Sequence, residues 1–156
     1  MTQLNIKTLC QNISDTMRQL QLTNDVYDID EIKDHIPDGD LPLLMVYPET
    51  SEGDTASGTQ MSTFGGGANR PVQVEDSSIN VDIYIAPVGG KPLQESLVIL
   101  VDVWNEVLTL VREQTVKPYF GDSQVSSFQW EMTRVEFQFS TMRYHGIQLQ
   151  LSFTEF

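Results

Sequence analysis

The sequence predicts an α+β fold in two layers, with helices packed on one face of a mainly antiparallel sheet. Two segments show apolar residues at steps of three and four, which is typical of amphipathic helices, and at least two others alternate apolar and polar residues as strands do. The predicted order is α-β-β-α-β-β. With 156 residues, the chain has the size of one domain around one core, so we expect residues 1–156 to form a single domain.

The two predicted helices differ in how much of their surface is apolar. The first, at about 2–21, has one stripe, formed by Ile6, Leu9, Cys10, Ile13, Met17 and Leu20. The second, at about 92–114, begins with Pro92 in its first turn and has its stripe at Leu93, Leu97, Leu100, Trp104, Leu108 and Val111. Polar residues fill only a narrow band of the second helix, so we expect a further surface to pack on it.

Four strands are predicted from apolar runs and from alternation. The first covers 43–47 and closes at Pro48, and the second is centred on 79–85, with Val72 and Val74 as candidates for an earlier start. In the third, at about 128–139, the apolar positions change from even to odd at Thr133-Arg134, which predicts a β-bulge. The fourth alternates over 147–153.

Residues 49–71 are predicted to form a long flexible loop. Twelve of these 23 residues are Gly, Ser or Thr, and no apolar periodicity survives. Loops of this length usually function or become ordered on a partner, so we expect neighbouring subunits to order this one. Its candidate interface residues are the two large apolar side chains and the glycine triplet, namely Met61, Phe64, Gly65, Gly66 and Gly67.

The chain is strongly acidic, with 22 acidic and 9 basic side chains and a formal net charge of −13. Such a field repels a phosphate backbone, so sequence-specific nucleic-acid binding is not expected, whereas an acidic wall past which DNA slides is compatible with it. The alternative is that the charges serve only solubility. The candidates for such a wall are Asp25, Asp28, Asp30, Glu31, Asp34, Asp38, Asp40, Asp82, Glu131 and Glu136.

No catalytic, cofactor or metal site is predicted. The two histidines, His35 and His145, are not placed beside a nucleophile by any motif, and Cys10 lies on the apolar stripe of the first helix. Asp28, Asp30 and Asp34 suggest calcium, but Ile32 and Lys33 occupy the fifth and sixth positions of an EF-hand loop, so its pattern fails. Gly65-Gly66-Gly67 lacks the Lys-Ser/Thr of a phosphate-binding loop. Trp104 and Trp130 are expected in the core.

Membrane and export signals are not expected either. The longest mainly apolar run, 97–104, falls far short of the ~20 residues of a membrane span. Met1 to Leu9 has none of the features of a signal peptide, and a single cysteine suits a reducing compartment.

One face of the sheet is predicted to be polar. Gln148, Gln150, Ser152 and Thr154 alternate along the last strand, and we expect them to lie beside Glu136 and Gln138 of its neighbour. This face is either simply solvated or covered by a partner. The largely apolar second helix and the long loop favour the subunit of an obligate oligomer.

These segments, taken in order, resemble the tail terminator (tail completion) proteins of tailed bacteriophages. The resemblance spans nearly the whole chain and includes Leu41-Pro42-Leu43-Leu44-Met45-Val46-Tyr47-Pro48, the strand 78–86, the helix 92–113 and Arg143-Tyr144-His145-Gly146-Ile147-Gln148-Leu149-Gln150-Leu151. It implies a non-enzymatic virion protein, assembled in the host cytoplasm and placed at the tail-neck junction. It further implies a hexameric ring that caps the tail tube protein and joins it to the head-completion or connector protein. The acidic insertion 25–40 departs from this pattern.

Two other functions remain open at this stage. One is a neck or head-closure protein of the same kind of virion. The other is an acidic adaptor or chaperone that binds a basic client, which would be a monomer or dimer and bind cationic peptides in a salt-sensitive way.

Overall fold

The computed structural model describes residues 5–56, 72–115, 119–121, 125 and 127–155. Its elements in chain order are α1 (Ile6–Met17), β1 (Asp25–Tyr27), two short 3₁₀ turns (Ile29–Glu31 and Asp38–Asp40), β2 (Leu43–Ala56), β3 (Val72–Pro87), α2 (Leu93–Glu113), β4 (Ser127–Phe139) and β5 (Met142–Glu155). The α+β class is confirmed. The predicted order is wrong in one element, because the order is α-β-β-β-α-β-β.

The missed element is β1, and it changes the sheet from four strands to five. The strand order is β1-β2-β3-β5-β4, with β1 parallel to β2 and every other neighbouring pair antiparallel. β1 has three residues inside the acidic segment, which is too short for alternation to reveal it. The sheet is therefore mixed, although mainly antiparallel as predicted.

The hairpin of β2 and β3 is longer than predicted. Residues 49–56, assigned to the loop from sequence, continue β2. The register shifts by one residue at Glu49, and the pairing then runs from Thr50 opposite Ser78 to Ala56 opposite Val72. The backbone ladder needs no apolar side chains, so a Gly-, Ser- and Thr-rich segment can extend a hairpin that is already in register. The remainder of the predicted loop, with Met61, Phe64 and Gly65-Gly66-Gly67, lies outside the described residues.

The main core lies between the two helices and one face of the sheet. Asn5 caps α1 by accepting a hydrogen bond from the Thr8 amide at 3.1 Å. The fully buried side chains from α1 and α2 meet the odd-numbered residues of β3 and β5, and together they form this core: Leu9, Ile13, Met17, Leu100, Val103, Val107, Ile79, Val81, Ile83, Ile147, Leu149, Leu151 and Phe153. The alternation predicted for these two strands is confirmed.

A second, smaller core lies on the opposite face of the sheet, at one end. It joins Tyr27, Ile36, Leu43, Met45, Tyr84 and Tyr144, with Leu41, Phe137 and Phe139 packed against it. Ile36 and Leu41 belong to the segment between β1 and β2, so the acidic segment folds over this face and is held there by its few apolar side chains. The Phe137 and Tyr84 rings stack with centroids 4.5 Å apart, above Gly146.

The second core explains why the predicted bulge in β4 is wrong. The pairing of β4 with β5 is continuous from Ser127 to Phe139. Phe128 and Met132 pack against the main core, whereas Phe137 and Phe139 pack against the second core on the other face. The change from even to odd apolar positions therefore reflects two cores and not a change of phase.

The orientation of α2 also differs from the prediction. Its buried residues are Ser96, Leu100, Val103, Val107, Leu110 and Val111. Trp104 is only half-buried at the margin of the main core, and Leu93 is exposed. Trp130, expected in the core, is also exposed, because it lies on β4 at the edge of the sheet.

Candidate functional site

Beyond the second core, the sheet face opposite the helices carries polar side chains that neither described helix covers. We call this region the open face. One cross-strand row contains Tyr47, Asn80, Gln150 and Glu131, and the next contains Met45, Asp82, Gln148 and Thr133. Adjacent rows place polar groups from four strands within reach of one another.

We call six neighbouring side chains of this face the open-face network: Tyr47, Glu49, Asn80, Asp82, Gln148 and Gln150. The Tyr47 hydroxyl donates to Asp82 Oδ2 at 2.5 Å, and Gln148 Nε2 lies 3.4 Å from Asp82 Oδ1. Gln150 Nε2 donates to Glu49 Oε2 at 2.9 Å. Because β3 lies between β2 and β5, this last bond crosses over β3 next to Asn80, the residue opposite Gln150.

The network holds the Asp82 carboxylate in a position that is largely shielded from water. Asp82 is only 5% exposed, and burial raises the pKa of its carboxyl although Tyr47 and Gln148 donate hydrogen bonds to it. Burial and the neighbouring Asp82 raise the pKa of Tyr47 to about 12, so its hydroxyl remains a donor at neutral pH. Among the described residues, no cationic side chain forms an ion pair with Asp82 or Glu49.

Asn80 adds an unsatisfied acceptor at the centre of this group. It is 4% exposed, and its Oδ1 accepts no hydrogen bond from any described residue. Buried polar atoms are nearly always paired, and each exception calls for a physical reason. The open-face network is therefore rich in acceptors and lacks a donor.

The predicted polar face is confirmed for β5 and wrong for β4. Gln148 and Gln150 belong to the open-face network, and Thr154 on the same face donates to Asp76 Oδ1 at 2.8 Å. Glu136 and Gln138 project from the opposite face, because β4 continues without a bulge. Glu136 forms an ion pair there with Arg143, and Glu131 lies on the open face instead.

The predicted acidic wall residues lie in three places. Asp82 and Glu131 are on the open face, Glu136 is on the helix-side face of β4, and the others belong to the segment from Asp25 to Asp40. Within that segment, Arg18 holds Asp28 at 2.8 Å, and Asp40 contacts both Tyr27 and Lys33. Asp25, Asp30, Glu31, Asp34 and Asp38 are exposed.

Ligand atoms of Asp28, Asp30 and Glu31 lie within 4.8 Å of one another, which is the spacing of a possible cation site. Burial works against ionisation of Asp28, but hydrogen bonds from Arg18 and Ser14 hold its pKa below the ordinary value. The guanidinium of Arg18 thus already supplies the positive charge that this carboxylate needs.

The described part of the chain contains no arrangement of histidine or cysteine side chains that suits nucleophilic catalysis. His35 is exposed in the acidic segment, and His145 is half-buried on β5. Cys10 is buried in the main core, and burial raises the pKa of its thiol to about 11. A thiol that stays protonated at neutral pH is a poor nucleophile.

A second surface is apolar and lies on α2. Leu93, Val98 and Val101 are each more than half exposed, and with Leu97 they line a shallow depression that ends at Asp102. The depression lies on the part of the helix that faces away from the main core. We call these four side chains the α2 stripe.

Sequence reasoning found part of both surfaces. The largely apolar circumference of α2 predicted a further contact, and the polar alternation of β5 predicted a polar face. Asp82 was noticed only as a charge, and Tyr47, Glu49 and Asn80 were missed. The signal that could have found Asn80 and Asp82 is their alternation with Ile79, Val81 and Ile83, which places both on one face.

Neither described helix has the length and hydropathy needed to cross a membrane. No protein-family model matches the sequence, and no curated protein matches it.

Proposed function

We propose that this chain is a structural virion protein, a tail terminator whose copies form a ring that caps the tail tube and joins it to the connector of the head. The proposal extends the resemblance of its sequence to that family. In this proposal, the chain acts by binding neighbouring subunits and performs no catalysis.

The observation that carries the proposal is the α2 stripe. Four neighbouring aliphatic side chains, three of them more than half exposed, are costly to leave in water when they form one patch. Burying such a patch against a second copy contributes about 25 cal/mol per Å² of apolar area. A closed ring forms when the α2 stripe of one copy binds a different surface of the next copy, and when the rotation that relates neighbouring copies returns to the first copy.

The edge of the sheet offers a candidate for that second surface. β4 is an outer strand of 13 residues, and its outer backbone groups pair with no other strand in the described sheet. Exposed Trp130 lies on this strand. Large aromatic side chains are favoured as anchors in protein interfaces.

The test is the oligomeric mass of the purified full-length protein, measured by light scattering, combined with negative-stain imaging. We expect a ring of six copies. Val101→Glu places a charge in the centre of the α2 stripe without touching the core, so it should lower the mass to that of a monomer while leaving the circular dichroism spectrum unchanged.

Thr109→Glu is the matched control, since Thr109 is an exposed polar residue on the same helix and outside the stripe. It should leave the mass unchanged. A monomer that assembles only on addition of preformed tail tubes would keep the proposal. A monomer or dimer that fails to bind tubes and binds basic peptides instead would favour the acidic adaptor.

A further inference from the structure

The open-face network has the composition of an incomplete ion-pair site. Among the described residues, no cation pairs with buried Asp82, and no donor bonds to the buried Asn80 Oδ1. Glu49 is near enough for its charge to raise the pKa of Asp82. Buried carboxylates are usually paired with a cation or coordinate a metal, because removing a charge from water is costly. What the network lacks is a positively charged group with several N–H donors.

We propose that the open-face network binds an arginine side chain presented by a basic segment of a partner protein. A guanidinium has five N–H donors in a planar fork, which suits several acceptors at once. Here the acceptors are the Glu49 carboxylate, the Asn80 Oδ1 atom and the Asp82 carboxylate. This inference goes beyond the proposed ring and depends on neither the α2 stripe nor the edge of β4.

The bond between Gln150 and Glu49 explains how the site is closed in the free chain. It spans β3 next to Asn80, which lies opposite Gln150, so the arginine must displace Gln150 and replace it as the donor to Glu49. Both side chains of this hydrogen bond can move, because Glu49 is exposed and Gln150 is only half-buried. Once it opens, the Asn80 Oδ1 atom gains its missing donor.

A partner protein fits this site better than a second copy of the chain. The net charge of −13 attracts a basic segment of another protein and speeds its encounter with the site. Of the arginines in the described residues, Arg18 and Arg143 are already paired with carboxylates of their own chain, whereas Arg112 and Arg134 form no ion pair with a described residue. Binding of a second copy is therefore one of the outcomes that the experiment distinguishes.

The experiment measures binding of an eight-residue peptide in which arginine and alanine alternate. The same peptide with citrulline in place of arginine is the neutral probe. We expect the arginine peptide to bind in a salt-sensitive way and to shift the side-chain amide resonances of Asn80 and Gln150 in NMR spectra. The citrulline peptide should do neither.

Three variants locate the site. Glu49→Gln and Asp82→Asn should each weaken binding about tenfold, as expected when one charge-assisted hydrogen bond is lost. Glu113→Gln, an exposed residue of α2, makes the same change in net charge and should alter binding less than about twofold, as expected of a distant screened charge. Glu49 is at the surface, so its variant does not endanger the fold.

Several results would overturn the proposal. Equal weakening by all three variants would show a response to net charge alone. Equal binding of the citrulline peptide would show that no cation is needed. If Glu49→Gln or Asp82→Asn changed the oligomeric mass and left peptide binding intact, the occupant would be a second copy. The ring proposal is judged separately, by the mass of the Val101 variant.

Discussion

Gly146 supports the second core, and replacing it by alanine should be strongly destabilising. A Cβ built at this position would overlap both the Phe137 ring and the backbone carbonyl oxygen of Ile83. The ring can turn away, but the carbonyl belongs to the centre of β3 and cannot. Gly146 is not required for backbone conformation, so the effect of the substitution is steric.

The expected cost follows from the two overlaps. Overpacking in a well-packed core costs typically 1–3 kcal/mol, and the immovable carbonyl places Gly146→Ala near the upper end, at about 3 kcal/mol. For a chain of this size, 1 kcal/mol corresponds to roughly 2–4 °C, so Tm should fall by about 6–12 °C. Urea unfolding followed by circular dichroism gives the free energy, and a thermal scan gives Tm.

Two further variants test the reasoning. Gly39→Ala is the control, because nothing lies within 4 Å of a Cβ there, and its stability should change by less than about 1 kcal/mol. Phe137→Ala combined with Gly146→Ala should cost less than the sum of the two single changes, since the ring overlap is lost and the carbonyl overlap stays. A Gly146→Ala protein within about 0.5 kcal/mol of the wild type would refute the packing described for the second core.

Two other predictions concern α2 and Asp82. Leu100→Ala should cost about 2–5 kcal/mol and half-buried Trp104→Ala only about 1–3 kcal/mol in urea unfolding, so the reverse ranking would contradict the orientation of α2. Because burial raises the pKa of Asp82, the folded protein binds that proton more tightly than the unfolded one, and wild-type stability falls as pH rises through the folded pKa. Asp82→Asn should therefore be more stable than the wild type at pH 7, with a gain that shrinks towards pH 4. A loss of stability at pH 7 would show that its ionised form is favoured.

The sequence by itself determined the α+β class, the two helices and the main-core faces of β3 and β5. These features depend on local periodicity, because a strand such as β3, with four isoleucine or valine residues at alternate positions, places all four on the same face. Composition likewise determined the net charge, and with it the expectation that nucleic acid is not a sequence-specific ligand.

Tertiary structure decided the features that depend on neighbours. β1 and residues 49–56 are strands because β2 and β3 supply backbone partners, and no pattern of their own side chains requires it. The orientation of α2 was ambiguous because most of its circumference is apolar, so packing on the sheet selected which stripe is buried.

The candidate site shows the same division. Alternation placed Asp82 on one face of a strand, but its environment depends on four strands brought together in one register. Tyr47 and Gln148 lie 35 and 66 positions from Asp82 in the chain, and only the sheet makes them its hydrogen-bond partners. The low solvent exposure of the Asp82 carboxylate and the unpaired Oδ1 of Asn80 both result from this assembly of strands. Burial is a property of the fold and not of any short segment.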